Sequence, residues 1–125
     1  MSGRVVHFEL PADDMERARS FYSEAFGWTV KAMPGFDYSL VLTTPVGQDG
    51  APTEPGGING GMANRGTPIS STVITIEVDD IDAALATIEK LGGTRLREKT
   101  PVGDMGFTAY FTDPEGTVVG LWQNA

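Results

Sequence analysis

The sequence predicts an α+β fold: two copies of one β-α-β-β-β module that form a curved mixed β-sheet around a cleft. Three observations predict it. Two alternating strand-like runs are each followed by an acidic helix start, an apolar stripe and a glycine stop, and the two sets stand in register at an offset of 66 residues. Strand-like pieces follow each helix. Helices arise from only two segments, so they cover one face of a mostly antiparallel sheet and leave the other face to curl around a space.

The first strand is Val5-Val6-His7-Phe8-Glu9-Leu10, in which Val6, Phe8 and Leu10 alternate with Val5, His7 and Glu9. Asp13 with Glu16 reads as a capping box at the start of a helix. That helix presents Met15, Ala18, Phe21 or Tyr22, and Ala25 on one face, and Gly27 stops it. Strands follow at Trp28 to Ala32, Phe36 to Thr43 and near Ile58 to Met62. In the second module Ile74, Ile76 and Val78 alternate with Val73, Thr75 and Glu77. Asp79 is the expected cap; Ile81, Ala84, Leu85, Ile88 and Leu91 form the stripe, and Gly92-Gly93 ends it. Strands follow at Thr94 to Arg97, Phe107 to Phe111 and Thr117 to Trp122, the last two joined by the turn Asp113-Pro114-Glu115-Gly116. The segment between Pro45 and Pro68 is rich in Gly and Pro, with a long loop at Gly47 to Pro55 and a fourth strand enclosed by Gly56 to Gly66. A single domain over residues 1–125 is expected, with module one at about 1–65 and module two at about 66–125.

Composition narrows the function classes. Nine basic and seventeen acidic residues give a net charge of −8, and the sparse, scattered Lys and Arg argue against nucleic acid as a partner. The acidity favours solubility and, through steering, a cationic ligand. There is no cysteine, which removes disulfides, thiolate zinc sites and cysteine nucleophiles. No apolar run approaches the ~20 residues of a membrane span, and no signal-peptide pattern opens the chain, so the expected location is cytoplasmic. The glycine-rich segment lacks the phosphate-cradling GxxxxGK[ST] pattern.

If Val6, Phe8 and Leu10 pack under the helices, His7 and Glu9 face the concave side, and by the same register so do Val73, Thr75 and Glu77. In the final strand Val119 and Leu121 suit the core, while Val118, Gly120 and Trp122 face the cleft. Buried Glu9 or Glu77 must be hydrated or paired. A cleft lined by His7, Glu9, Thr75, Glu77 and Trp122 offers an aromatic wall with a few polar groups; Tyr38, Tyr110 and Gly120 complete the candidate ligand-binding set. Plainer roles exist for each: a structural histidine at His7, core or dimer packing for Trp122, sheet-surface charges at Glu9 and Glu77.

Val6-His7-Phe8-Glu9-Leu10, the run Asp13-Asp14-Met15-Glu16-Arg17-Ala18, then Phe21-Tyr22 and Phe26-Gly27-Trp28 resemble the opening of vicinal oxygen chelate proteins. Glu77-Val78-Asp79-Asp80-Ile81-Asp82 and Phe111-Thr112-Asp113-Pro114-Glu115-Gly116 resemble the corresponding parts of their second module. The group includes glyoxalase I, extradiol dioxygenases, epimerases and bleomycin-resistance binding proteins, so the resemblance implies the glyoxalase/bleomycin resistance fold. It further implies a divalent metal held from set strand positions, which here fall on His7, near Val41, Val73 and Gly120. One imidazole does not build a catalytic metal centre. No cofactor is therefore expected, with His7 a metal ligand only if a metal is present. The resemblance then points to metal-independent binding of a small aromatic or cationic molecule in a homodimer, with room beside Trp122 where Gly120 lacks a side chain. Two other readings stand: a lyase, dioxygenase or glyoxalase-like enzyme with His7 as the catalytic residue, and a dimerisation module without ligand.

Overall fold

The structure, a computed structural model, describes residues 3–125. Its elements run β1 (Val5–Ala12), α1 (Met15–Phe26), β2 (Thr29–Ala32), β3 (Tyr38–Leu42), β4 (Gly60–Asn64), β5 (Val73–Glu77), α2 (Ile81–Lys90), β6 (Thr94–Val102), β7 (Gly106–Thr112) and β8 (Val118–Asn124). The β-α-β-β-β order therefore occurs twice. The chain divides into two compact units, one of His7–Thr72 and one of Val73–Ala125 together with the chain up to Val6. Each repeats one strand order, β2-β3-β4-β1 in the first and β6-β7-β8-β5 in the second. In both, the strand that opens the module lies parallel to the strand that closes it. The pairs β2–β3, β3–β4, β6–β7 and β7–β8 are antiparallel, joined by short connections except for the 17 residues between β3 and β4.

The expected apolar face of each opening strand packs beneath its helix in part: Phe8 and Leu10 join the first cluster without Val6, and Ile76 and Val78 the second without Ile74. In the first unit Phe8, Leu10 and Ala12 pack with Val30, Val41 and Met62 beneath Met15, Ala18 and Tyr22 of α1. In the second, Ile76, Val78, Ala109, Phe111, Val119 and Leu121 pack beneath Ile81, Ala84, Leu85 and Ile88 of α2. Of the alternatives Phe21 and Tyr22, the core takes Tyr22, whose ring stacks on Trp28 at 5.0 Å; Phe21 is 58% exposed. Ala25 is exposed as well. Ile74, expected in the core, is 45% exposed, while Val73, expected to face the cleft, is 1% exposed. Helix α2 has ten residues and spans about 15 Å; its cluster takes in Ile76 and Val78 but leaves Ile74 outside.

Both helix starts lie one residue later than the expected caps. Asp14, not Asp13, caps α1 by accepting the Arg17 N–H at 3.0 Å. Asp80, not Asp79, caps α2 by accepting the Ala83 N–H at 3.2 Å. The first apolar side chain of each stripe, Met15 and Ile81, is the first helical residue, so the preceding residue is the one placed to cap. Asp13 instead pairs with Arg65 at 2.9 Å. Gly27 closes α1 with φ 73°, its N–H donating to Ser23 O. The turn before β8 forms as expected: the Gly116 N–H donates to Asp113 O at 2.9 Å, and the Asp113 side chain accepts from Glu115 and Thr117. Strand β6 extends to Val102, beyond the expected end at Arg97, through register shifts against β7.

Removing the caps tests this placement. Asp14→Ala and Asp80→Ala should each lower unfolding free energy by ~1 kcal/mol in urea titrations. Asp79→Ala should change it by less than ~0.5 kcal/mol, as an exposed surface substitution does. Equal losses at positions 79 and 80 would contradict the cap assignment.

Candidate functional site

In the first unit, burial of Phe8 and Leu10 beneath α1 sends their neighbours His7 and Glu9 to the opposite sheet face. Strand β3 contributes Tyr38 and Leu40 to that face, since Val41 packs in the helix-side cluster and Ser39 is buried opposite Met62. Strand β4 contributes Gly61, which pairs with Glu9 on one side and Leu40 on the other. The Tyr38 side chain occupies the space over Gly61, and a Cβ at that position would overlap the phenol itself. There the Tyr38 hydroxyl donates to Glu9 Oε2 at 2.7 Å and lies 2.8 Å from His7 Nε2. Glu9 is 6% exposed, and its bond to Tyr38 answers the need for a partner that burial imposes. Burial holds the His7 pKa below its ordinary value, and the nearby charge of Glu9 opposes that shift without reversing it. His7 is thus neutral at pH 7, a hydrogen-bonding group or a base rather than a cation.

The second unit gathers the other candidates in two groups. Thr75 and Tyr110 flank Gly120, paired with it through the β5–β8 and β7–β8 ladders. A Cβ on Gly120 would stand 2.9 Å from Thr75 Oγ1 and 3.4 Å from Tyr110 Cε2. The space over Gly120 is therefore taken up by Thr75 and Tyr110 and is not left open, contrary to the expectation of room beside Trp122. Trp122 gains its space from Gly106, where a Cβ would come within 2.6 Å of the indole Cζ2. Trp122 Nε1 donates to Asn124 Oδ1 at 2.9 Å, and Asn124 Nδ2 donates to Glu77 Oε2 at 3.1 Å. The Arg4 guanidinium lies 3.5 Å from Glu77 Oε1. Glu77 is accordingly a paired charge, tied to Trp122 through one amide.

Sequence reasoning missed Arg4, Gly61, Gly106 and Asn124. For Gly61 a signal existed: a Gly-Gly pair inside a strand marks close approach of another group.

The positions at which the resemblance implies metal ligands do not fit a metal. Val73 and Gly120 carry no donor atom, and Val73 is fully buried. Val41 lies in the α1 core, on the face away from Tyr38, because alternation along β3 puts Ser39 and Val41 together. Among the described residues no group of three or more His, Cys, Asp or Glu side chains is placed to hold an ion.

Residues 4–44 match the family described as "Bleomycin resistance protein-like N-terminal". The chain is 31% identical over 121 residues to a "Glyoxylase-like domain-containing protein" of Didymella fabae, covering 93% of this chain and 90% of that one. It is 33% identical over 119 residues to "Putative glyoxylase CFP32" of Mycobacterium tuberculosis, covering 92% of this chain and 43% of that one. The chain thus spans less than half the length of that relative. A superfamily member of solved structure from Vibrio splendidus superposes with a TM-score of 0.61 at 18% identity, covering 98% of this chain and 99% of that one. Paired βαβββ modules, the matched opening segment and a full-length glyoxylase-like relative agree, and the chain belongs to the glyoxalase/bleomycin resistance/dioxygenase, or vicinal oxygen chelate, superfamily.

Proposed function

We propose that the chain binds a small organic molecule on the His7–Tyr38–Glu9 face and does so without a metal ion. The observation that carries this reading is the pair of bonds at the Tyr38 hydroxyl, 2.7 Å to Glu9 and 2.8 Å to His7. A single phenol ties the two groups together. The donor set points the same way, since a divalent metal normally takes three or more protein ligands. The ligand is a molecule that exchanges hydrogen bonds with an imidazole beside the Tyr38 ring.

A second reading, proton transfer with His7 as general base, is favoured by one specific observation. The buried imidazole is held neutral, so it is in the form that accepts a proton. Relatives named as glyoxylases support such chemistry for the group, and one fold hosts many reactions. The two readings differ in what His7→Ala removes: affinity alone in a binder, turnover in an enzyme.

A thermal-shift screen of small aromatic compounds tests the binding reading. A true ligand present at a hundredfold excess over its Kd should add ~2.7 kcal/mol of stability, and the gain should vanish in His7→Ala. A gain unchanged by His7→Ala would place the ligand elsewhere. The charge state of His7 gives a separate test, because it is the chain's one histidine. Its NMR titration midpoint should fall below ~6.5, and a midpoint above that would contradict the burial argument. The sign for stability follows. A lowered folded pKa means the unfolded chain binds the proton first, so stability is fully present above ~6.5 and is lost as pH falls below it. His7→Gln should flatten that part of the stability profile.

A further inference from the structure

We propose that Tyr38 is a positioning residue that fixes the imidazole of His7 with its proton on Nε2, so that Nδ1 is the basic atom offered to a ligand, and that Gly61 exists as glycine to admit the phenol. The proposal deepens the binding reading above and rests on this face being the site.

Proton counting on three groups carries the argument. Tyr38 has one hydroxyl proton, and a carboxylate only accepts. At 2.7 Å from Glu9 Oε2, that proton lies on the bond to Glu9. The Tyr38 oxygen then meets His7 Nε2 at 2.8 Å with a lone pair, so Nε2 must be the donor. The reverse assignment, with the phenol donating to His7, would set the phenol oxygen and the carboxylate lone pair to lone pair at 2.7 Å. A neutral imidazole carries one proton, and with Nε2 holding it, Nδ1 has the free lone pair. Among the described residues the hydrogen bond of the His7 ring is made through Nε2. On this assignment Nδ1 is the ring atom left for a ligand.

Gly61 sets this geometry by its size. It is buried between Glu9 and Leu40 in the ladder, its φ is not in the left-handed region, and a Cβ there would overlap the Tyr38 hydroxyl and ring. Glycine is needed for space and not for conformation. The ligand class follows from the polarity of the two ends. Nδ1 accepts, and the Glu9 charge behind the phenol disfavours anions, so the site takes a neutral or cationic molecule that presents an O–H or N–H donor. A carboxylate or a fully ionised phosphate placed against Nδ1 has no proton to give.

The test is a long-range proton–nitrogen NMR spectrum of the full chain labelled with nitrogen-15 in its single histidine, recorded above pH 7.5 without ligand. The expected result is a protonated, pyrrole-type Nε2 whose proton exchanges slowly with water, and a pyridine-type Nδ1. In Tyr38→Phe the fold should persist by circular dichroism while the Nε2 proton loses its protection and the two nitrogens move toward averaged shifts. Gly61→Ala should give the same change by displacing the phenol; should it fail to fold, Tyr38→Phe decides alone. A proton on Nδ1 in the parent chain, or an Nε2 proton equally protected in Tyr38→Phe, would overturn the proposal. The expected tautomer with no small molecule binding would sink the binding reading and leave this one standing; the opposite tautomer with a bound molecule would do the reverse.

Discussion

The register of β1 is the constraint on which the first unit depends. Phe8 and Leu10, partly buried under α1, each gain a share of the about 1.5–3 kcal/mol that full burial gives, and a strand's period of two then sends His7 and Glu9 to the other face. A slip of one residue would bring Glu9 under the helix and expose Phe8. The polar face adds its own lock, because Glu9 is buried and its bond to Tyr38 forms only when β1, β3 and β4 are correctly paired. Hydrophobic burial on one side and a satisfied carboxylate on the other specify the same register.

Space for large side chains is made by glycines in neighbouring strands, and the two modules use that device differently. Gly61 in β4 admits the Tyr38 phenol, Gly120 in β8 admits Thr75 and Tyr110, and Gly106 in β7 admits the Trp122 indole. Gly61 pairs with Glu9 as Gly120 pairs with Thr75, so the two glycines hold equivalent places in their modules. The partners have diverged: a buried carboxylate held by a phenol in one, a hydroxyl beside a phenol in the other. The duplicated backbone therefore carries chemistry that is not duplicated. The imidazole of His7 has no counterpart, since Val73 takes its place in β5.

The fold was legible in the sequence because it follows from periodicity. The strand alternations, the stripes of α1 and α2 and the turn at Asp113 to Gly116 each have a local cause. The faces of β1 and β8 followed from the same alternation. The face of β3 did not, because Tyr38, Ser39, Leu40 and Val41 show no clean polar alternation; the ligand position near Val41 was implied by the family resemblance alone. The caps were misplaced by one residue because both starts offer adjacent aspartates, and only the packing of Met15 and Ile81 selects between them. The Tyr38 bridge was out of reach, since it joins residues about thirty positions apart through a gap over Gly61 that no local pattern announces.

The central claim is that a phenol, and not an ion, organises His7 and Glu9. A titration of the chelator-treated chain with zinc, nickel and manganese, followed by calorimetry and by elemental analysis after dialysis, tests it most directly. The account predicts no retained metal and no saturable one-to-one binding tighter than the micromolar range. One equivalent of a divalent metal held through dialysis, and released by His7→Ala, would contradict it.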